Sequence, residues 1–128
     1  MALGTSHSFN MHRGDTRSIT YTVVDEAGAV VDVTAAAIVW VLAAQDTGAS
    51  GPQPRPGSTL LTKSVGSGVV LVDAVNGDIR VDIDSVDTVA LRAPNVYYHE
   101  VQITLAGKVT TIAFGNITLN REIIAPGP

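Results

Sequence analysis

The chain has no cysteine, which excludes a disulfide framework, thiolate metal sites and a thiol nucleophile. Charge is scarce as well: Asp, Glu, Lys and Arg make up 16% of the residues, where a soluble domain carries about a quarter. The formal net charge is −4 and the sequence pI about 5.1, so the broad basic footprint of a nucleic-acid binder is missing. Aromatic residues are 5% of the chain, and Glu and Lys, both good helix formers, number 3 and 2. The longest apolar run, Ala35 to Ala44, has ten residues, about half of what a membrane-spanning helix needs. Residues 1–8 have neither a basic start nor an apolar core, so they do not read as a Sec signal, and synthesis in the cytoplasm is the expectation.

What is abundant points to strands. Val, Ile and Thr supply 40 of the 128 residues, and β-branched side chains fit a pleated, half-buried surface better than a helix. Twelve glycines and six prolines punctuate the chain. The length suits one domain. A chain that is 45% apolar, with mean hydropathy +0.26 and few charges, also suits a subunit that hides surface against neighbours.

Residues 1–8 read as an arm, 9–124 as a single domain and 125–128 as a tail. Ile19, Tyr21 and Val23 alternate with Ser18, Thr20 and Thr22, the pattern of a half-buried antiparallel strand. Ala29 to Val33 reads as a return strand after the Asp25–Gly28 turn. The run Ile38-Val39-Trp40-Val41-Leu42 reads as a central strand covered on both faces. Residues 45–58 hold Gly48, Gly51, Pro52, Pro54, Pro56 and Gly57 and predict a long loop of polyproline II character, either a docking element or a solvated connector.

The second half predicts short strands at about ten-residue spacing. Asn76-Gly77 marks a hairpin, Ile79, Val81 and Ile83 point inward, and residues 84–92 predict one helical turn capped by Asp84 or Asp87. Tyr97, His99, Val101 and Ile103 share one face of a long strand, Ala106-Gly107 turns, and Gly115 reads as a bulge. The fold class is therefore all-β: an immunoglobulin-like antiparallel β-sandwich of about seven to nine strands.

Catalytic and metal-binding patterns are thin. His7, His12 and His99 are not at ligand spacing from one another or from a carboxylate, and His99, on the face of Val101, reads as packing. Asp82, Asp84 and Asp87 lack the glycine and the terminal glutamate of a calcium loop. Arg13-Gly14-Asp15 reads as a turn rather than an adhesion tripeptide, and Asn116-Ile117-Thr118 has no secretory context to make it a glycosylation acceptor. No cofactor, no metal and no enzymatic activity are expected.

The order of these pieces has a counterpart. Arg13-Gly14-Asp15-Thr16 precedes an alternating strand; Asp25, Gly28 and Val31-Asp32-Val33-Thr34 follow, then Gly68-Val69-Val70-Leu71-Val72-Asp73, Gly77-Asp78-Ile79-Arg80-Val81, Tyr97-Tyr98-His99-Glu100-Val101 and Gly107-Lys108-Val109. Over residues 9–124 this order resembles the immunoglobulin-like module of tailed-phage structural proteins, in particular the N-terminal domain of the siphophage baseplate upper protein family. The resemblance implies a virion protein made in a bacterial host, without catalytic residues, with other virion proteins and copies of itself as partners. The acidic balance and the short apolar run lead to the expectation of no nucleic-acid or membrane partner.

On that reading the expected assembly contacts are the arm (Leu3, Phe9, Met11), the proline segment (Pro52, Pro54, Arg55, Pro56) and the tail (Ile123, Ile124). An extended arm can add a strand to a neighbour's open sheet edge. A capsid decoration protein is the alternative within the same class. A carbohydrate-binding attachment module is the alternative outside it, and would need exposed aromatics.

Overall fold

β-branched alternation becomes nine strands. A computed structural model describes residues 5–48 and 51–121, with backbone alone at 5–6, 45–48 and 51–58. The strands are β1 (Thr5–Ser6), β2 (Phe9–His12), β3 (Arg17–Thr22), β4 (Ala37–Gly48), β5 (Gly51–Val65), β6 (Gly68–Asp73), β7 (Asp78–Ile83), β8 (Asn95–Leu105) and β9 (Lys108–Asn120). One helical turn, α1 (Ser85–Thr88), joins β7 to β8, and it falls in the 84–92 stretch where the aspartates predicted it.

The hydrogen-bonded order is β1-β9-β8-β4-β5-β6-β7-β3, with β2 following β1 along β9. The path is continuous but it curls. Between β5 and β6 only Ser64↔Gly68 and Val65↔Val69 pair, so the chain crosses there from one layer to the other. The first layer holds β1/β2, β9, β8, β4 and β5, and the second holds β6, β7 and β3. Ile38, Trp40, Val101 and Ile103 from the first meet Ile79, Val81, Ile83 and Val23 from the second in one buried cluster.

Three features make the sandwich immunoglobulin-like. Trp40 is fully buried on a central strand. The Tyr97 hydroxyl, at the start of β8, donates to the Arg92 carbonyl at 2.7 Å, which is a tyrosine corner. The N-terminal strands run parallel to the last one, with Phe9 opposite Ile117 and Met11 opposite Leu119. The expected antiparallel sandwich holds for β3–β7, β4–β5, β4–β8, β6–β7 and β8–β9; β1 and β2 on β9 and the short β5–β6 contact add parallel pairs, so the sheet is mixed.

Four local expectations also change. Residues 29–33 form no strand: Val24↔Val30 is an isolated bridge. The Val31 and Val33 N–H groups donate instead to the Val23 and Ala74 carbonyls, which sinks Val33 wholly into the core. The predicted 45–58 loop is a hairpin ribbon, in which β4 and β5 pair to the Gly48↔Gly51 end through Gln45↔Pro54 and Thr47↔Pro52. Pro52 and Pro54, opposite Thr47 and Gln45, are two residues apart, so their missing N–H groups lie on one side of β5 and a single ladder survives there, up to the register shift between Ala43 and Gln45.

The bulge expected at Gly115 lies instead between Val101↔Ala113 and Gln102↔Thr111. The glycine serves close approach: a Cβ at residue 115 would sit 2.4 Å from the His7 carbonyl oxygen. Finally, the central run is covered on one face only. Ile38, Trp40 and Leu42 are buried, while Val39 is 38% exposed.

Candidate functional site

The outward face of the first layer follows from register. Residues opposite one another in an antiparallel ladder share a face, so Val41 brings with it Glu100 and Thr62, and Ala43 brings Tyr98 and Thr59. Phe114 joins Glu100 from β9, and Gln102 joins Val39. From the row of Asn116, Tyr98, Ala43 and Thr59 to the row of Val109, Thr104 and Ala37, Glu100 is the sole charged side chain among the described outward residues of these four strands.

The second layer faces outward differently. Asp78, Arg80 and Asp82 stand opposite Thr22, Thr20 and Ser18. Arg80 Nε lies 2.8 Å from Asp82 Oδ1, and Ser18 and Thr22 donate to Asp82 and Asp78 at 2.8 Å. The Arg80 hydrogen bond and then that of Ser18 hold the Asp82 carboxyl below its ordinary pKa. One face is a solvated charge lattice; the other is valine, hydroxyl and aromatic.

On the charge-poor face Val41, Ala43, Thr59, Tyr98 and Glu100 line a depression of about 160 Å³. The Tyr98 hydroxyl donates to Glu100 Oε2 at 3.3 Å. Burial, reinforced by the Glu100 charge, raises the Tyr98 pKa, so the phenol remains a neutral donor at pH 7.

Between the layers lies a polar thread. Trp40 Nε1 donates to His99 Nδ1 at 3.3 Å, and indole can only donate. That makes Nδ1 the acceptor and Nε2 the protonated nitrogen, which then donates to the His7 carbonyl at 2.5 Å. The His7 N–H continues to the Phe114 carbonyl at 2.7 Å. The His7 ring packs edge-on to Tyr21 at 4.9 Å, and Arg17 lies 4.2 Å over the Phe9 ring. The N-terminal segment is thus a clasp between the two layers, held through a histidine with no exposed surface.

The expected assembly residues fall out unevenly. Met11 is 6% exposed and belongs to the core, because β2 turns its alternate residues inward; its side chain is no assembly contact. Phe9 is half-buried under Arg17. Pro52, Pro54, Arg55 and Pro56 are on the backbone of β5, and Leu3, Ile123 and Ile124 lie outside the described residues. The residues that share one face, Val39, Val41, Tyr98, Glu100 and Phe114, were not singled out from sequence. The available signal was the apolar run at 38–42, whose odd members have no inward place once the even ones are core.

Other motifs resolve into structure. Gly14 N–H donates to Thr88 Oγ1 at 2.8 Å and Arg13 Nη1 to the Leu91 carbonyl at 3.1 Å, so the Arg13–Asp15 turn is stitched to the α1 corner. Lys63 Nζ lies 2.7 Å from Asp87 Oδ2 with both side chains largely buried. Among the described residues no group of three or more His, Asp or Glu could hold a metal ion, and no described helix is long and apolar enough to cross a membrane. Trp40, Tyr21 and Tyr97 are all buried and so cannot stack on a sugar.

No protein-family model matches the chain, and no curated protein matches it.

Proposed function

We propose that this protein is a non-enzymatic assembly module of a bacteriophage virion, placed in the tail or baseplate. The observation that carries the reading is the half-covered central strand. Val39 and Val41 continue an apolar run whose other members form the core, yet they face outward beside Tyr98 and Phe114 on a face with one charge. A face of that composition is the build of a contact surface. The tail or baseplate position rests on the ordered resemblance of residues 9–124 to the siphophage baseplate module.

The test is antibody-gold labelling of intact particles from a lysate in which the chain is made. Label at the tail or its tip is the expected result. A regular pattern over the head replaces the tail assignment by capsid decoration. A chain found only free, and absent from both intact and dissociated particles, overturns the virion reading.

A further inference from the structure

The structure assigns the Glu100 depression as a receptor for one arginine side chain of a partner protein. The inference rests on the assembly reading only in taking the partner to be a protein; the chemistry belongs to the site. Glu100 is the one charge among the described outward residues of this face, so a partner that covers them must either bury that carboxylate alone, at a cost of several kcal/mol, or bring a cation to it. Charge complementarity therefore fixes the sign of what arrives. The depression, about 160 Å³, has the space of roughly five waters, enough for a long side chain and too little for a folded element.

The lining selects among cations. Val41 and Ala43 give the lining apolar surface for a methylene stem, and Tyr98 gives it an aromatic ring. Glu100 Oε2 accepts the Tyr98 hydroxyl, which orients the carboxylate and leaves Oε1 for the ligand. A guanidinium is planar, sheds water more easily than an ammonium, and can lie against a phenol ring while bonding a carboxylate. An ammonium keeps its hydration and gains little from the ring.

The probe is Nα-acetyl-L-arginine methylamide, titrated into the full ¹⁵N-labelled chain at constant ionic strength, with the lysine and citrulline counterparts run in parallel. The expected result is saturable amide shifts at Val41, Ala43, Thr59, Tyr98 and Glu100 with the arginine compound. The lysine compound should bind more weakly and the uncharged citrulline should leave these amides unmoved. Glu100→Gln keeps the shape and the half-buried position, and should weaken arginine binding about tenfold or more. Shifts scattered over the surface, none at these residues, or equal binding of lysine or citrulline overturn the assignment. The titration needs no particle, so its failure removes the receptor site alone, while labelling of particles decides the assembly reading.

Discussion

At the scale of single residues, two positions decide how the N-terminal segment is held. Gly115 has the chain at His7 and Ser8 lying directly over it, with the His7 carbonyl 2.4 Å from where a Cβ would be and Ser8 Oγ at 3.0 Å. Gly115→Ala therefore pushes backbone against backbone. It should cost about 1–3 kcal/mol, as overpacking does, and should raise amide exchange at His7 and Ser8 before anything else. A variant with unchanged stability and exchange would show that the clasp is not seated there. His99 is the second position. Burial pulls its pKa below the ordinary 6.5, and the hydrogen bond to His7 opposes that only in part. The unfolded chain then binds the proton more readily than the folded one, so the stabilisation is full above pH 6.5 and is lost as pH falls toward the folded pKa. Each unit of depression is worth about 1.4 kcal/mol. The urea midpoint should fall between pH 7 and pH 5. Nitrogen-detected NMR at pH 7 should find the proton of His99 on Nε2, and an Nδ1 proton would contradict the Trp40 bond.

At the scale of elements, α1 and the end of β5 depend on one carboxylate. Asp87 meets the Lys63 ammonium at 2.7 Å and also accepts the Asp84 N–H at 2.7 Å, so it caps the helical turn and neutralises a cation that is only 9% exposed. Asp87→Ala leaves that ammonium buried and unpaired, which should cost about 3–5 kcal/mol, read as a lowered urea midpoint. Lys63→Met combined with Asp87→Ala should cost less than the single Asp87 change, and an additive result would mean the pair is not coupled. The elements themselves were largely legible in the sequence. Strict alternation in Ile19–Val23 and Ile79–Ile83 left one register for each strand, and the Asp84–Asp87 spacing carried the helical turn. Two segments were not legible, for a shared reason. The proline ribbon pairs because Pro52 and Pro54 share one strand side, and residues 29–33 leave the ladder because Val33 is drawn into the core; both depend on what lies opposite, which local propensity does not encode. The N-terminal strands belong with them. Nothing local in Thr5–Ser6 or Phe9–His12 says that the partner is β9, more than a hundred residues away, or that pairing is parallel. Met11 therefore passed for a surface contact when it is core.

At the scale of the molecule, the two faces of the sandwich set its behaviour. The charge-poor face spans four strands about 4.8 Å apart and, along β4, seven residues at about 3.4 Å, a footprint of roughly 450 Å². Two such patches bring together about 900 Å², below the 1,200–2,000 Å² of a stable interface. One contact of this size does not hold a dimer in dilute solution, but repeated contacts in a particle add by avidity. The face was half legible: the surplus of valine at 38–42 was plain, whereas its gathering with Tyr98, Glu100 and Phe114 comes from the pairing of β8 with β4 and β9. Val39→Lys tests the consequence. Val39 is 38% exposed, so a lysine there can reach water and should change stability by no more than about 0.5 kcal/mol. Against a partner surface it must be desolvated or must hold that surface away, and incorporation into particles should fall at least tenfold relative to the unchanged chain. Val70→Lys is the matched control: equally exposed at 38%, it stands on the second layer beside Arg80 and should assemble normally. If both variants assemble alike, the charge-poor face is not the contact; if Val70→Lys alone is lost, the charged layer is the one that meets the particle.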